Sequence, residues 1–319
     1  MLQYSASFQS MFSRIFLLLL PLLLFSCQMS RPAHRPGPAQ LQARLMEAVK
    51  DFRGRVGFYV EHLGSGEKAE FCADDLFPTA SMIKVPILVT LFDAIEAGRV
   101  DYEAELQYEA SRLYPGNDLL GSFRDGESIS IPKLILLMET LSDNTASLWL
   151  QELAGTGTAI NAWLAAHGFE KIRMNSRTPG RKPDWERYGW GQCSPREMAG
   201  LLRMIREGKA GTAWASYRMR RALARSFWDG RALAAIPPEY EVLSKQGAVS
   251  DSRSEVILVH APGGDYVACF TTDDQADRSW RKDNEGYVLL RKLSRICWQH
   301  FEAGHPWSRP ISTASKVSP

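Results

Sequence analysis

None of the five cysteines in this 319-residue chain stands in a C-x-x-C pair, so a zinc ribbon or a covalently held haem has no ligands to build on. The six histidines form no ligand pair either, and neither a metal nor an organic cofactor is expected. Long runs of like charge are missing. With 38 basic side chains against 36 acidic ones the net charge is +2, which makes nucleic acid an unexpected partner. There is no internal repeat of the kind that builds solenoids. The apolar run at residues 15–25 is interrupted by Pro21 and falls short of the roughly 20 residues that a membrane-spanning helix needs. What remains is an ordinary globular composition, 45% hydrophobic and 23% charged, with length for one large domain or two small ones.

That apolar run lies in "MFSRIFLLLLPLLLFSCQ". Arg14 ahead of it gives the segment the physics of a secretory signal. Its end, "LFSC", resembles the lipobox of bacterial lipoproteins, which implies cleavage before Cys27 and lipid modification of that residue. The expected product is exported and held on the periplasmic face of a bacterial membrane, each buried CH₂ of its acyl chains contributing about 0.8 kcal/mol. A plain secreted protein that loses Cys27 with its signal is the other reading. Export permits disulfides, and pairing or burial as free thiols both fit Cys72, Cys193, Cys269 and Cys297.

Residues 1–26 thus read as a signal peptide and residues 27–40, proline-rich and without apolar periodicity, as an extended tether. Order is expected from Leu41. "LQARLMEAVKDF" has helical spacing, and "RVGFYVEHLGSGEKAEFCADD" gives two strands around a turn at Gly64, Ser65 and Gly66. Residues 79–225 are mostly helical, with two long loops at 114–127 and 174–192, and long loops inside compact domains are often functional. Strands return after Pro237 and Pro238, and a helix over residues 280–301 closes the domain. The economical packing is an α/β (α+β) fold. One antiparallel sheet forms from N- and C-terminal strands (41–78 and 226–303), flanked by helices, and a central all-helical subdomain docks against it. Residues 304–319 read as a disordered tail.

Chemistry enters at "FPTASMIKVP". Ser81 and Lys84 are neighbours on one helix face, a hydroxyl beside an amine that can act as its base. An S-x-x-K is expected about once by chance in a chain of this length, and a second one, Ser130 to Lys133 in "SIPK", is indeed present. Two further motifs decide between them. Ser142-Asp143-Asn144 lies between helical segments, and Lys245 begins "KQG" on a strand of the rebuilt sheet. S-D-N alone is expected in only about one chain in twenty. In this order the three resemble the S-x-x-K, S-D-N and K-T-G signature of penicillin-binding proteins and class A β-lactamases.

The blocks "FPTASMIKVP", "LSDNTASLWL" and "LSKQGAVSDSRSEVILV" resemble the three active-site blocks of class A serine β-lactamases, over most of the span from Leu41 to Phe301. The resemblance implies a β-lactamase/transpeptidase-like fold and a serine hydrolase. Ser81 is then the nucleophile and Lys84 helps activate it, while Ser142 relays a proton to the leaving nitrogen. Lys245 holds that hydroxyl and attracts the substrate carboxylate. Backbone N–H groups of Ser81 and Ala248 form the oxyanion hole. Asn144 bonds the substrate's side-chain amide, Gly247 belongs to the substrate-binding strand, and Arg253 binds the carboxylate if the turn before it is one residue shorter than in the family.

The sequence also departs from that family. At the position of the glutamate that activates the deacylating water stands Thr178, and at that of its asparagine partner Lys182. The nearest acids are Asp184 and Glu186, and Gln246 replaces a small hydroxyl residue. Acylation then has all its groups while deacylation lacks an evident base, so slow turnover is expected. The expected partner is a small β-lactam or acyl-peptide, and the protein a monomer. Two other readings stand beside this one, a D,D-peptidase or other amide or ester serine hydrolase, and a non-catalytic lipid-anchored binding module.

Overall fold

The computed structural model describes residues 37–307, residue 117 excepted. The signal segment, Cys27 and residues 308–319 lie outside the described residues. The centre of the molecule is a five-stranded antiparallel sheet with the strand order Lys68–Phe71, Arg55–His62, Tyr266–Asp273, Ser252–Val259, Val242–Val249. The first strand of the chain pairs with the last, from Arg55 opposite Asp273 to His62 opposite Tyr266. N- and C-terminal segments therefore build one sheet, and a β-lactamase/transpeptidase-like arrangement results.

Both faces of the sheet are covered, so Ser252–Val259 and Tyr266–Asp273 are buried along their whole length. Alternation divides their side chains between two cores. Phe58, Ile257 and Phe270 meet Leu41, Leu45 and Trp298 of the first and last helices, Pro38–Val49 and Glu285–Phe301. Tyr59, Val256 and Cys269 face the other way into the helical part, where Pro195–Arg206 packs on the sheet. Each such fully buried side chain contributes about 1.5–3 kcal/mol.

Several boundaries differ from expectation. Order begins at Pro38, inside the stretch read as tether, because Pro38 supplies a helix-compatible φ at the first turn and Leu41 and Leu45 anchor that helix in the core. The last helix starts at Glu285, where the Asn284 side chain accepts from the N–H groups of Gly286 and Tyr287. Residues 304–307 are held rather than loose: Trp298 Nε1 donates to the carbonyl of His305 at 2.8 Å, and Trp307 packs against the core. Cys72, Cys193, Cys269 and Cys297 are free thiols, and burial pushes the last three up.

Candidate active site

A small three-stranded sheet sets Ser81 in place. Phe77–Pro78 pairs with Gly191–Cys193, which also pairs with Arg173–Met174, and the N–H of Thr79 donates to the carbonyl of Gly191 at 3.0 Å. Ala80 then turns the chain through a left-handed φ of 44°, a strained conformation for a residue with a Cβ. Ser81 follows in the short 3₁₀ turn Ala80–Ile83 that opens the helix Lys84–Glu96. Val85 to Phe92 are all buried, so the helix runs through the interior and projects Ser81 from its start. There the first N–H groups have no partner within the helix. Pro86 falls in the first turn, where its missing N–H costs nothing.

Ser142 arrives by another unusual turn. The helix Ile131–Leu136 widens into the π-turn Leu137–Leu141, and Ser142 ends it in the left-handed region with φ 62°. Asp143 caps the helix Asn144–Leu153, one carboxylate oxygen accepting from Ala146 N at 2.8 Å. Its other oxygen accepts from the N–H groups of Leu119 and Leu120. Tyr114 N donates to Thr145 Oγ1 at 2.9 Å, so the 114–122 loop is pinned to this turn at two points.

Lys245 comes from Val242–Val249, the edge strand. Gly247, two residues on, permits the strand to press on the serine turn: a Cβ there would lie 2.4 Å from the Thr79 carbonyl oxygen and 2.6 Å from Ser254 Oγ. Ala248 is opposite Arg253 in the ladder. Arg253 N donates to Thr272 Oγ1 at 2.8 Å, away from the edge strand, so this is a pair whose N–H groups point outward. The Ala248 N–H therefore faces the cleft.

The side chains of Lys84, Ser142, Asn144 and Lys245 meet in one cluster. Lys84 Nζ donates to Ser142 O at 2.7 Å, to Ser142 Oγ at 3.0 Å and to Asn144 Oδ1 at 3.0 Å. Lys245 Nζ donates to the same Ser142 Oγ at 3.0 Å and to Gln246 O at 3.1 Å. Both lysines are closed off from solvent, 0% and 1% exposed. Burial, followed by the charge of Lys245, holds the Lys84 amine well below its ordinary range; Glu139 and Asp143 oppose this. Burial brings Lys245 down to about 8, with Glu139 resisting and Arg231 assisting. Three acceptors around Lys84 favour its ammonium, but burial and a second cation outweigh them, and an amine able to take a proton results.

The cleft in front of these groups holds about 420 Å³. Ser81, Tyr114, Asn144, Glu186, Tyr188, Trp190 and Ala248 are among the residues that line it. Tyr114 and Trp190 meet edge to face at 5.2 Å. Residues 174–192, read as a loop, contain the helix Lys182–Tyr188, which Arg187 fastens to the sheet through Asp273 at 2.6 Å. Asp273 is buried and also holds Arg55 at 2.9 Å.

Other residues fall elsewhere. Thr178 Oγ1 donates to Ser176 O at 3.0 Å and does not line the cleft. Lys182 begins the loop helix and is exposed. Asp184 pairs with Arg181 at 3.3 Å, whereas Glu186 reaches the cleft wall. Arg253 requires a correction. Its guanidinium donates to the carbonyls of Val249, Ser252 and Ser279 and lies against Trp280 and Tyr287, 4.8 and 4.7 Å from their ring centroids. Those donors are spent on backbone and the side chain does not line the cleft. Arg231, which the sequence did not single out, donates to Gln246 Oε1 and to Tyr287 Oη and adds positive charge beside Lys245. In the second S-x-x-K, Ser130 is buried and Lys133 is exposed.

Comparison with known proteins agrees with this geometry. A family model described as the β-lactamase enzyme family matches residues 40–301. The chain is 27% identical over 282 residues to a β-lactamase of Streptomyces fradiae, covering 83% of this chain and 82% of that protein. It spans only 31% and 55% of two other known relatives, the β-lactamase regulatory protein BlaB of Streptomyces cacaoi (32% identical over 97 residues) and β-lactamase VEB-1 of Pseudomonas aeruginosa (21% over 164). The solved acyl-enzyme complex of a PBP-A point mutant with penicillin G superposes with a TM-score of 0.74 at 25% identity, over 84% of this chain and 98% of that one.

Proposed function

The chain belongs to the β-lactamase enzyme family, and on that premise we propose that it is a serine hydrolase that opens β-lactam amides through an ester on Ser81 and releases the acyl group slowly. Lys84 takes the proton of Ser81 Oγ as that oxygen bonds to the lactam carbonyl carbon. The carbonyl oxygen becomes an oxyanion between the N–H groups of Ser81 and Ala248. Collapse breaks the C–N bond, and the nitrogen takes a proton through Ser142, resupplied by Lys84. Lys245 and Arg231 attract a substrate carboxylate. The observation that supports this reading best is the convergence of Lys84 and Lys245 on one Ser142 hydroxyl, with Lys84 also bonded to Asn144, which lines the same cleft as Ser81.

Water must then break the ester, and no carboxylate occupies the place where the family carries one. Glu186, Asp251 and Asp273 line the cleft; Asp273 is tied to Arg55 and Arg187, and Glu186, exposed and on a short helix, would be a weakly held base. Intact-mass spectrometry with a penicillin tests the proposal: a persistent adduct on Ser81 is expected, and neither adduct nor hydrolysis would remove β-lactams from the account. The missing carboxylate equally favours a D,D-peptidase. An acyl-D-Ala-D-Ala peptide assayed beside a chromogenic cephalosporin separates the two. Anchoring through a lipid on Cys27 completes the proposal, and Cys27→Ser is expected to move the protein from membrane to soluble fractions.

A further inference from the structure

Glu139 takes no part in the chemistry above. It lies three residues before Ser142, directly after the apolar run "LILLM", is 2% exposed, and neither of its carboxyl oxygens has a hydrogen-bond partner among the described residues. Acids buried without partners are rare, since an uncompensated charge in the interior is costly. It sits inside the π-turn Leu137–Leu141, and single π-turns re-aim the side chains around them and recur at functional sites. The helices packed against this turn bring almost no charge. The buried positions of Ile131–Leu136, Asn144–Leu153 and Ala213–Leu223 hold no ionisable group, and Lys84 is the one buried charge of Lys84–Glu96. Asp143, next to Ser142, is occupied by three backbone N–H groups. That leaves Lys245 and Lys84 as the charges that act on Glu139, Lys245 the more strongly.

Two ammonium groups on one hydroxyl repel each other, and in a closed site water does little to screen them. We propose that Glu139 is the buried counter-charge of this pair: its carboxylate keeps Lys245 cationic and seated on Ser142, and so leaves Lys84 as the proton acceptor for Ser81. Glu139 is a positioning residue that touches no substrate, and its role rests on the serine hydrolase reading above. The electrostatics agree. Burial pushes the Glu139 carboxyl up to about 7 and Lys245 down to about 8, Glu139 being the main influence that resists the latter. The charge on Lys245 is in turn the main influence, after burial, that lowers Lys84.

Glu139→Gln keeps the shape and removes the charge. Acylation of Ser81 by a fluorescent penicillin is followed against pH, with a melting temperature recorded for each protein. Because Glu139 favours the charged forms of both lysines, both limbs of the profile are expected to move to lower pH by about one unit, the size of a close buried charge effect. At the alkaline limb this is a loss of about tenfold. Glu139→Asp, which retains the charge, is expected to keep the limbs of the unmodified protein. In that protein, ¹³C NMR of labelled glutamate carboxyls is expected to show one group, missing from Glu139→Asp, that titrates near neutral pH. Unmoved limbs in Glu139→Gln, or a carboxyl that stays protonated throughout the active range, overturn the proposal. Failure of the unmodified protein to label on Ser81 would instead sink the hydrolase reading.

Discussion

Lys84 and Lys245 reach the same oxygen, Ser142 Oγ, each at 3.0 Å, from a buried helix and from an edge strand. A hydroxyl that accepts from two amines has both lone pairs engaged, so its own proton is free to be donated. That makes Ser142 a donor to whatever stands in front of Ser81. Ser142→Ala is expected to lower kcat/KM for a β-lactam by about 10²-fold or more, the usual yield of one positioned proton donor, with the melting temperature nearly unchanged.

Ionisation of Lys245 sets an alkaline limit. Its amine is brought down to about 8, so the charged form dominates below that pH and fades above it. Acylation by substrates that carry a carboxylate is expected to fall as pH rises through about 8, while a neutral ester substrate declines less. Equal decline for both would show that Lys245 does not serve the carboxylate.

Glu186 and Asp184 separate cleanly. Glu186→Gln is expected to lengthen the lifetime of the Ser81 adduct, by about 10²-fold if it is the general base. Asp184→Asn disturbs a side chain tied to Arg181 and is expected to leave that lifetime within a factor of a few. Stopped-assay mass spectrometry reads both.

The two arginines near Gln246 have different duties. Arg253→Met removes donors from the carbonyls of Val249, Ser252 and Ser279, the last of which keeps Asn284 Nδ2, and is expected to cost about 2–4 kcal/mol of stability in a denaturant titration, as disruption of a buried polar network does, with KM little changed. Arg231→Ala is expected to raise KM for carboxylate-bearing substrates and to leave neutral esters alone.

Gly247→Ala places a methyl group 2.4 Å from a backbone carbonyl that cannot rotate aside. The edge strand must back away from the serine turn, taking the Ala248 N–H with it. A loss of about 10²-fold in acylation rate is expected, since displacement by about 1 Å suffices for that, and Gly247→Ser is expected to behave alike.

Ser81, Lys84, Ser142 and Lys245 are legible in the sequence because the chemistry constrains residue type and the turns constrain spacing. The sheet is legible too, since both of its halves carry the period of two. Arg253 shows the limit. Its place in the ladder follows from the hairpin, but the direction of its guanidinium depends on Trp280 and Tyr287, which only the tertiary fold brings to it. Glu139 is hidden differently: helical periodicity marks "LILLMETLS" as a core segment, and no local rule foretells that a π-turn will bury the one acid among those leucines. Glu186 is legible only as one of the two nearest acids. Its approach depends on the Arg187 to Asp273 pair, a contact between distant parts of the chain.

The strand at residues 55–62 finds its partner in 266–273, almost at the other end of the described chain. During synthesis the early segment must wait, and pairings between such remote segments are slow to form. The edge strand that donates the second lysine and the outward amide joins the rest of the sheet through Ser252–Val259 and then those late residues. Until the ribosome has delivered them, the hydroxyl at position 81 is an ordinary alcohol, and a chain cut short before Tyr266 would carry its nucleophile with no means of using it.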